Sequence, residues 1–307
     1  MTDNIKTTRR DVLAMLSAAG VAGFGPVRSL AQERMPARAI PSTGEMLPVV
    51  GLGSSKVVSQ VSTNGPEALA AVLRALVANG GSVVDTWPRN PENDAGFGQV
   101  TSEPDLRDSL FITTKIDQTG KAAGIAQFRR TQQLYNRETV DLAQIFSLTD
   151  LDVQWPNLKD WKADGHARYI GVTVSQYRRY EQLEDFLQRE TPDFVQMNYS
   201  ITERRAEERL LPRAADQGLA VLINRPFMNG AYFGQLEGRP VPEWAAEFDC
   251  TSWAQFSLKY ILAHPTVTCV LTETSNPRHM EENAQTAFGR LPDAAARARM
   301  RAFIDEV

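Results

Sequence analysis

A chain of 307 residues that is 42% hydrophobic and 23% charged carries enough apolar material for one substantial core. Its formal charge of -4 offers no basic surface for nucleic acid, and the pairs Arg129-Arg130, Arg178-Arg179 and Arg204-Arg205 read as solvated helix faces.

Residues 1–31 read as a targeting segment ahead of the fold. Thr8-Arg9-Arg10-Asp11-Val12-Leu13 precedes an apolar run from Met15 to Phe24, and Ser29-Leu30-Ala31 puts small residues where a signal peptidase cuts. That is the pattern of a twin-arginine export signal. The run is too short to span a bilayer and is interrupted by Gly20, Gly23, Gly25 and Pro26. The expected partner is the twin-arginine export machinery, and the expected location is the periplasm or another exported compartment, with no membrane anchor on the mature chain. Residues 32–39 read as a linker, and residues 40–307 as the folded domain.

Pro41-Ser42-Thr43-Gly44-Glu45 is turn chemistry between two short extended pieces, which predicts a hairpin ahead of the main fold. Short apolar runs then alternate with helical patterns: Pro48 to Gly51, Ser82 to Asp85, Leu110 to Lys115, Leu142 to Phe146, Tyr169 to Thr173, Phe194 to Asn198, Ala220 to Asn224 and Thr268 to Leu271. Leu69, Val72, Leu73, Leu76 and Val77 share one helix face, stopped by Gly80-Gly81. Asn276-Pro277 opens another helix, and the tail from Asp293 to Phe303 is amphipathic. Eight β-α repeats predict an α/β fold, a single (β/α)8 TIM barrel, with chemistry at the C-terminal ends of the strands. A doubly wound open sheet is disfavoured because Gly51-Leu52-Gly53-Ser54 is too short for a dinucleotide fingerprint.

The two cysteines, Cys250 and Cys269, read as free thiols, Cys269 on a buried strand. His166 precedes a strand, His264 sits in a turn and His279 on a helix, without metal-site spacing, so no metal is expected.

Gly51-Leu52-Gly53, Val84-Asp85-Thr86, Thr113-Thr114-Lys115, residues 141–145, residues 168–173, residues 196–200 and Ser275-Asn276-Pro277 through Asn283 resemble, in order and spacing, the aldo/keto reductase superfamily. The resemblance runs from about residue 40 to the C terminus. It implies reduction of a small-molecule carbonyl by NADP(H), with an aspartate, a tyrosine, a lysine and a histidine around the substrate. Asp85 and Lys115 match two of these positions, but the tyrosine position is Asn90 and the histidine position is Phe146. An amide gives up no proton at neutral pH, and a phenyl ring offers no hydrogen bond. For the cofactor, the resemblance assigns Gln196 to the carboxamide and Thr274, Glu282 and Asn283 to the adenosine-phosphate motif, and it counts Thr173, Arg225 and Arg278 among the further cofactor contacts. Val174, Asn224, Glu273 and His279 depart from the pattern, and Glu273 would repel a 2′-phosphate unless Arg278 compensates.

Three readings stay open at this level. One is an exported oxidoreductase with a tightly carried nicotinamide and Lys115 in place of tyrosine. The second is a non-redox lyase or isomerase using the Asp85-Lys115 pair, beside Asn90, for proton transfer, and the third a silent small-molecule binding protein. Trp87, Phe97, Phe146, Phe227 and Tyr232 are the expected apolar lining.

Overall fold

The computed structural model describes residues 34–54 and 56–307, so the export segment expected over residues 1–31 lies outside the described residues. Strands β1 (Ala37–Ala39) and β2 (Met46–Pro48) form an antiparallel hairpin with Ala37 opposite Pro48. The fold therefore begins earlier than Ile40. Residues 37–39, expected as linker, are held by that pairing, and the compact unit runs from Met35 to Val307.

Eight parallel strands follow: β3 (Val50–Leu52), β4 (Val83–Asp85), β5 (Phe111–Ile116), β6 (Val140–Phe146), β7 (Ala167–Thr173), β8 (Phe194–Asn198), β9 (Ala220–Asn224) and β10 (Cys269–Thr272). They close in sequence order, with β10 pairing both β9 and β3, which is the predicted (β/α)8 barrel. The run read as one strand from Pro48 divides at Val49 into the end of β2 and the start of β3.

The helices that carry the argument are α1 (Pro66–Ala78), α2 (Pro91–Thr101), α3 (Lys121–Leu134), α4 (Leu151–Ala163), α5 (Tyr180–Arg189), α6 (Leu210–Asp216), α7 (Trp253–Leu262), α8 (Pro277–Gln285) and α9 (Ala294–Asp305). Leu69, Val72, Leu73 and Leu76 of α1 are fully buried, as their spacing predicts. Asn276 caps α8 by accepting from the Arg278 amide, and Asp293 caps α9 by accepting from that of Ala296. Arg129-Arg130 lies exposed on α3, whereas Arg178-Arg179 and Arg204-Arg205 lie in or beside short 3-10 turns. Among the described residues no helix is long and apolar enough to cross a membrane.

The barrel interior is layered by the two-residue alternation of its strands. Val83, Phe111, Leu142, Tyr169, Phe194, Ala220, Leu222, Cys269 and Leu271 fill the lower part, and Ile40 and Leu47 of the hairpin plug it from below. Two residues further along each strand the same inward row becomes polar: Asp85, Thr113, Gln144, Gln196, Asn224 and Glu273. Gly171 lies in this row because a Cβ there would sit 2.5 Å from the Phe194 carbonyl oxygen. Both cysteines are free and buried.

Candidate active site at the barrel mouth

Asp85 ends β4 and Lys115 lies near the end of β5, each 4% exposed. Lys115 Nζ donates to Asp85 Oδ1 at 2.5 Å and to the Thr86 carbonyl at 3.0 Å, while Thr113 Oγ1 donates to the same Asp85 oxygen at 2.5 Å. Burial pushes the Lys115 ammonium below the ordinary lysine range, with Asp85 opposing that shift. An ammonium has three N-H donors, and only two have these partners.

The second Asp85 oxygen accepts from Gln196 Nε2 at 3.2 Å, and Gln196 Oε1 accepts from Gln144 Nε2 at 2.9 Å. Gln196, expected to face a cofactor, is thus tied on both ends into a buried relay. Gln144 and Thr113 were missed by motif comparison. The available signal was Gln144 itself, a polar residue between Leu142 and Phe146 on the inward alternation of an otherwise apolar strand. Gln144 Oε1 and Asn224 Oδ1 are buried acceptors without a hydrogen-bond partner among the described residues; Asn224 Nδ2 donates to the Val174 carbonyl at 3.1 Å.

Just beyond the end of β4 the indole of Trp87 stacks on Phe146, the last residue of β6, with centroids 4.2 Å apart and planes 17° apart. Asn90 does something other than expected: its side-chain oxygen accepts from the Asn93 amide at 2.9 Å and caps α2, and no hydrogen bond joins it to Asp85 or Lys115. Phe97 is not at the mouth either. It is 1% exposed and packs against Tyr135, with ring centroids 4.8 Å apart.

A groove of about 430 Å³ opens past the ends of β9 and β10, lined by Lys56, Arg225, Phe227, Phe233, Glu273 and Ser275 among others. The side chain of Glu273 reaches solvent, yet the protein around its carboxyl and the Asp85 charge push it above the usual carboxylate range, opposed by Arg225, Lys115 and Arg89. Arg225 is fixed by donation to the Ser175 carbonyl at 2.9 Å, and Thr274 Oγ1 accepts from the Asn276 amide at 3.1 Å. Thr173 is buried at the top of β7, Arg278 and Glu282 are exposed on α8, and Asn283 is buried on its inner side. Tyr232 is buried behind Phe227 rather than lining the groove. Among the described residues no three His, Cys, Asp or Glu side chains cluster as metal ligands.

The family model described as the aldo/keto reductase family matches residues 49–298. The chain belongs to the aldo/keto reductase family. Among curated proteins it is 25% identical over 165 residues to the NADH-specific methylglyoxal reductase of Escherichia coli K12, covering 45% of this chain and 49% of that enzyme. The match therefore spans about half the length of that relative. Similar solved structures include the holo form of aldo-keto reductase AKR11C1 from Bacillus halodurans, with TM-score 0.72 and 19% identity over 88% of this chain and 96% of that one. A Klebsiella pneumoniae aldo/keto reductase solved with NADP and acetate has TM-score 0.71 and 19% identity over 87% and 94% of the two chains. The glycerol dehydrogenase AKR11B4 of Gluconobacter oxydans has TM-score 0.70 and 17% identity over 88% and 94%. At these identities the solved structures speak for the fold.

Proposed function

We propose that this aldo/keto reductase family member is an oxidoreductase of a small carbonyl or hydroxyl compound, with Lys115 as proton donor and a nicotinamide dinucleotide as cofactor. The observation that carries the reading is the third Lys115 N-H. Two are taken by Asp85 and Thr86, and burial makes the ammonium a stronger acid than an exposed lysine.

The residues at the mouth suit such a cofactor at both ends. Gln144 Oε1 and Asn224 Oδ1 are buried acceptors still to be satisfied, and Lys56 and Arg225 line the groove where phosphates would lie. When bound, the dinucleotide supplies a hydride. The side chains do the rest. Lys115 donates its free N-H to the substrate oxygen and transfers that proton as negative charge develops, while Asp85, held by Thr113 and Gln196, keeps Nζ in place. The stacked Trp87 and Phe146 rings, at the ends of β4 and β6, offer an apolar face to a small substrate.

The test is a titration of the full chain with NADH and NADPH, read by tryptophan quenching, followed by carbonyl reduction at 340 nm. Failure to bind either nucleotide would overturn the redox reading. The alternative is proton transfer without hydride by the same Asp85-Lys115 pair. It is favoured by the engagement of Gln196 with Gln144 and Asp85, and it predicts isomerisation or elimination with no nucleotide added.

We also place the protein outside the cytoplasm, on the strength of Arg9-Arg10 and the small residues before Gln32. Arg9→Lys/Arg10→Lys should retain the chain in the cytoplasm at precursor mass, and unchanged export would overturn that assignment.

A further inference from the structure

Arg89, next to the cap residue Asn90, is the one mouth cation held on a built platform. Its guanidinium lies 4.1 Å from the ring centroid of Trp87. The indole is itself fixed, because Trp87 Nε1 donates to Asp117 Oδ2 at 2.9 Å while Asp117 Oδ1 accepts from Gln127 Nε2 at 2.8 Å and from Gln118 Nε2 at 2.7 Å. Gln127 is buried on α3, so the plate is anchored to the scaffold rather than to solvent. The Arg89 backbone is held too, its amide donating to Asp94 Oδ1 at 3.1 Å.

Stacking occupies the face of a guanidinium and leaves its N-H donors free at the edge. The Arg89 side chain forms no ion pair with a carboxylate among the described residues, and it stands four residues beyond Asp85 on the Trp87 ring, which stacks on Phe146 at the end of β6, so it belongs to the C-terminal end of the barrel that holds the Asp85-Lys115 pair. It does not line the groove beside β9 and β10, where the phosphate-binding candidates lie. An exposed arginine immobilised in this way has already lost most of the side-chain freedom that binding would cost.

We infer that Arg89 is the seat of a carboxylate on the substrate, and that the substrate class is a small 2-oxo or 2-hydroxy acid. This rests on the oxidoreductase reading above. In the reduction, the C2 carbonyl carbon takes the hydride, its oxygen takes the Lys115 proton, and the carboxylate stays on Arg89 unchanged, so a 2-oxo acid becomes a 2-hydroxy acid. Arg225 and Lys56 remain for the cofactor phosphates.

The experiment pairs binding with turnover on the full chain. Oxamate, a redox-inert carboxylate, and oxamide, its neutral counterpart, are titrated against tryptophan fluorescence in the wild type, Arg89→Met and Arg89→Lys. Oxamate should bind the wild type more tightly than oxamide, and Arg89→Met should weaken it roughly 10- to 100-fold with Arg89→Lys between, as for the loss of a charge-assisted hydrogen bond. The kcat/KM ratio of pyruvate to methylglyoxal should fall by a similar factor. Oxamate affinity unchanged in Arg89→Met, or oxamide binding as well as oxamate, overturns the inference. Arg89-dependent oxamate binding without reduction of either carbonyl by NADH or NADPH supports the carboxylate seat and removes the redox reading. Reduction of methylglyoxal without binding or turnover of the carboxylates does the reverse.

Discussion

Removing the ammonium while leaving its partner tests the central pair most directly. In Lys115→Met the Asp85 carboxylate, 4% exposed, keeps only Thr113 Oγ1 at 2.5 Å and Gln196 Nε2 at 3.2 Å as side-chain donors. Stranding one charge of a buried pair costs about 3–5 kcal/mol, a large part of the roughly 5–15 kcal/mol that holds a domain folded. In Asp85→Asn/Lys115→Met the amide oxygen still accepts from Thr113 and no charge is stranded, so the double variant should recover all but about 1 kcal/mol. The assay is urea unfolding followed by tryptophan fluorescence, comparing midpoints at a common slope. With the Asp85→Asn penalty added to that of Lys115→Met, the double-mutant cycle should return a coupling of at least about 2–4 kcal/mol, above the usual range for exposed pairs. A Lys115→Met loss under about 1 kcal/mol, or single penalties that simply add in the double variant, would refute a buried, mutually dependent pair. The same single variant should lower carbonyl reduction by about 10²- to 10⁴-fold, the range of a lost general acid.

The depressed Lys115 pKa makes two further observables move. Reduction should lose rate on the alkaline side with a midpoint below the ordinary lysine value of about 10.4, a limb absent from Lys115→Met. Between the lowered folded value and the ordinary one the unfolded chain binds more protons, so wild-type stability relative to Lys115→Met should rise with pH through that window and be flat below it. Glu273 lines the groove proposed for the cofactor phosphates, so Glu273→Lys should shift nucleotide preference toward NADPH by roughly tenfold, about 1.4 kcal/mol, in competitive titration; an unchanged NADH to NADPH ratio would count against that placement. Gly171→Ala drives a methyl to within 2.5 Å of the Phe194 carbonyl and should destabilise by about 1–3 kcal/mol or more by thermal unfolding, and a neutral result would show the barrel layer to be looser than drawn.

The barrel was legible because its strands announce themselves in pairs of faces. Runs such as residues 142–146 and 220–224 are apolar on the helix side throughout, and change to polar on the inward side only near their ends. Local rules also placed the Asn276 cap and the buried face of α1, and they found the C-terminal amphipathic helix that Asp293 opens. They found the hairpin turn over residues 41–45 but set the start of the fold too late, because Ala37-Arg38-Ala39 has no β-branched or aromatic residue and is a strand only through its pairing with β2. At the site, Asp85 and Lys115 were found by motif, but the roles of Thr113, Gln144 and Arg89 depend on which strand ends the closed sheet brings together. Asn90 shows the opposite failure. A residue judged by the position it inherits turned out to be governed by its neighbour Pro91, which begins a helix that needs a cap.

Backbone strain supplies an independent reason to regard the mouth as a maintained site. Among the described residues, Asn136, Ser147, Leu148, Asp150, Arg225, Met228, Asn229 and Asp249 have positive φ without being glycine. Asn and Asp tolerate that conformation; Ser147, Leu148, Arg225 and Met228 do not, and all four lie in the loops after β6 and β9. Each costs of order 1 kcal/mol that a glycine or asparagine would relieve. If these loops merely joined barrel elements, nothing would hold the strained residues in place of cheaper ones. Instead the strain falls directly after Phe146, which carries the Trp87 plate, and at Arg225, which lines the groove opposite Glu273. The two strained loops therefore bracket the Asp85-Lys115 pair with the surfaces that would shape a ligand against it, as expected where function rather than folding sets the backbone.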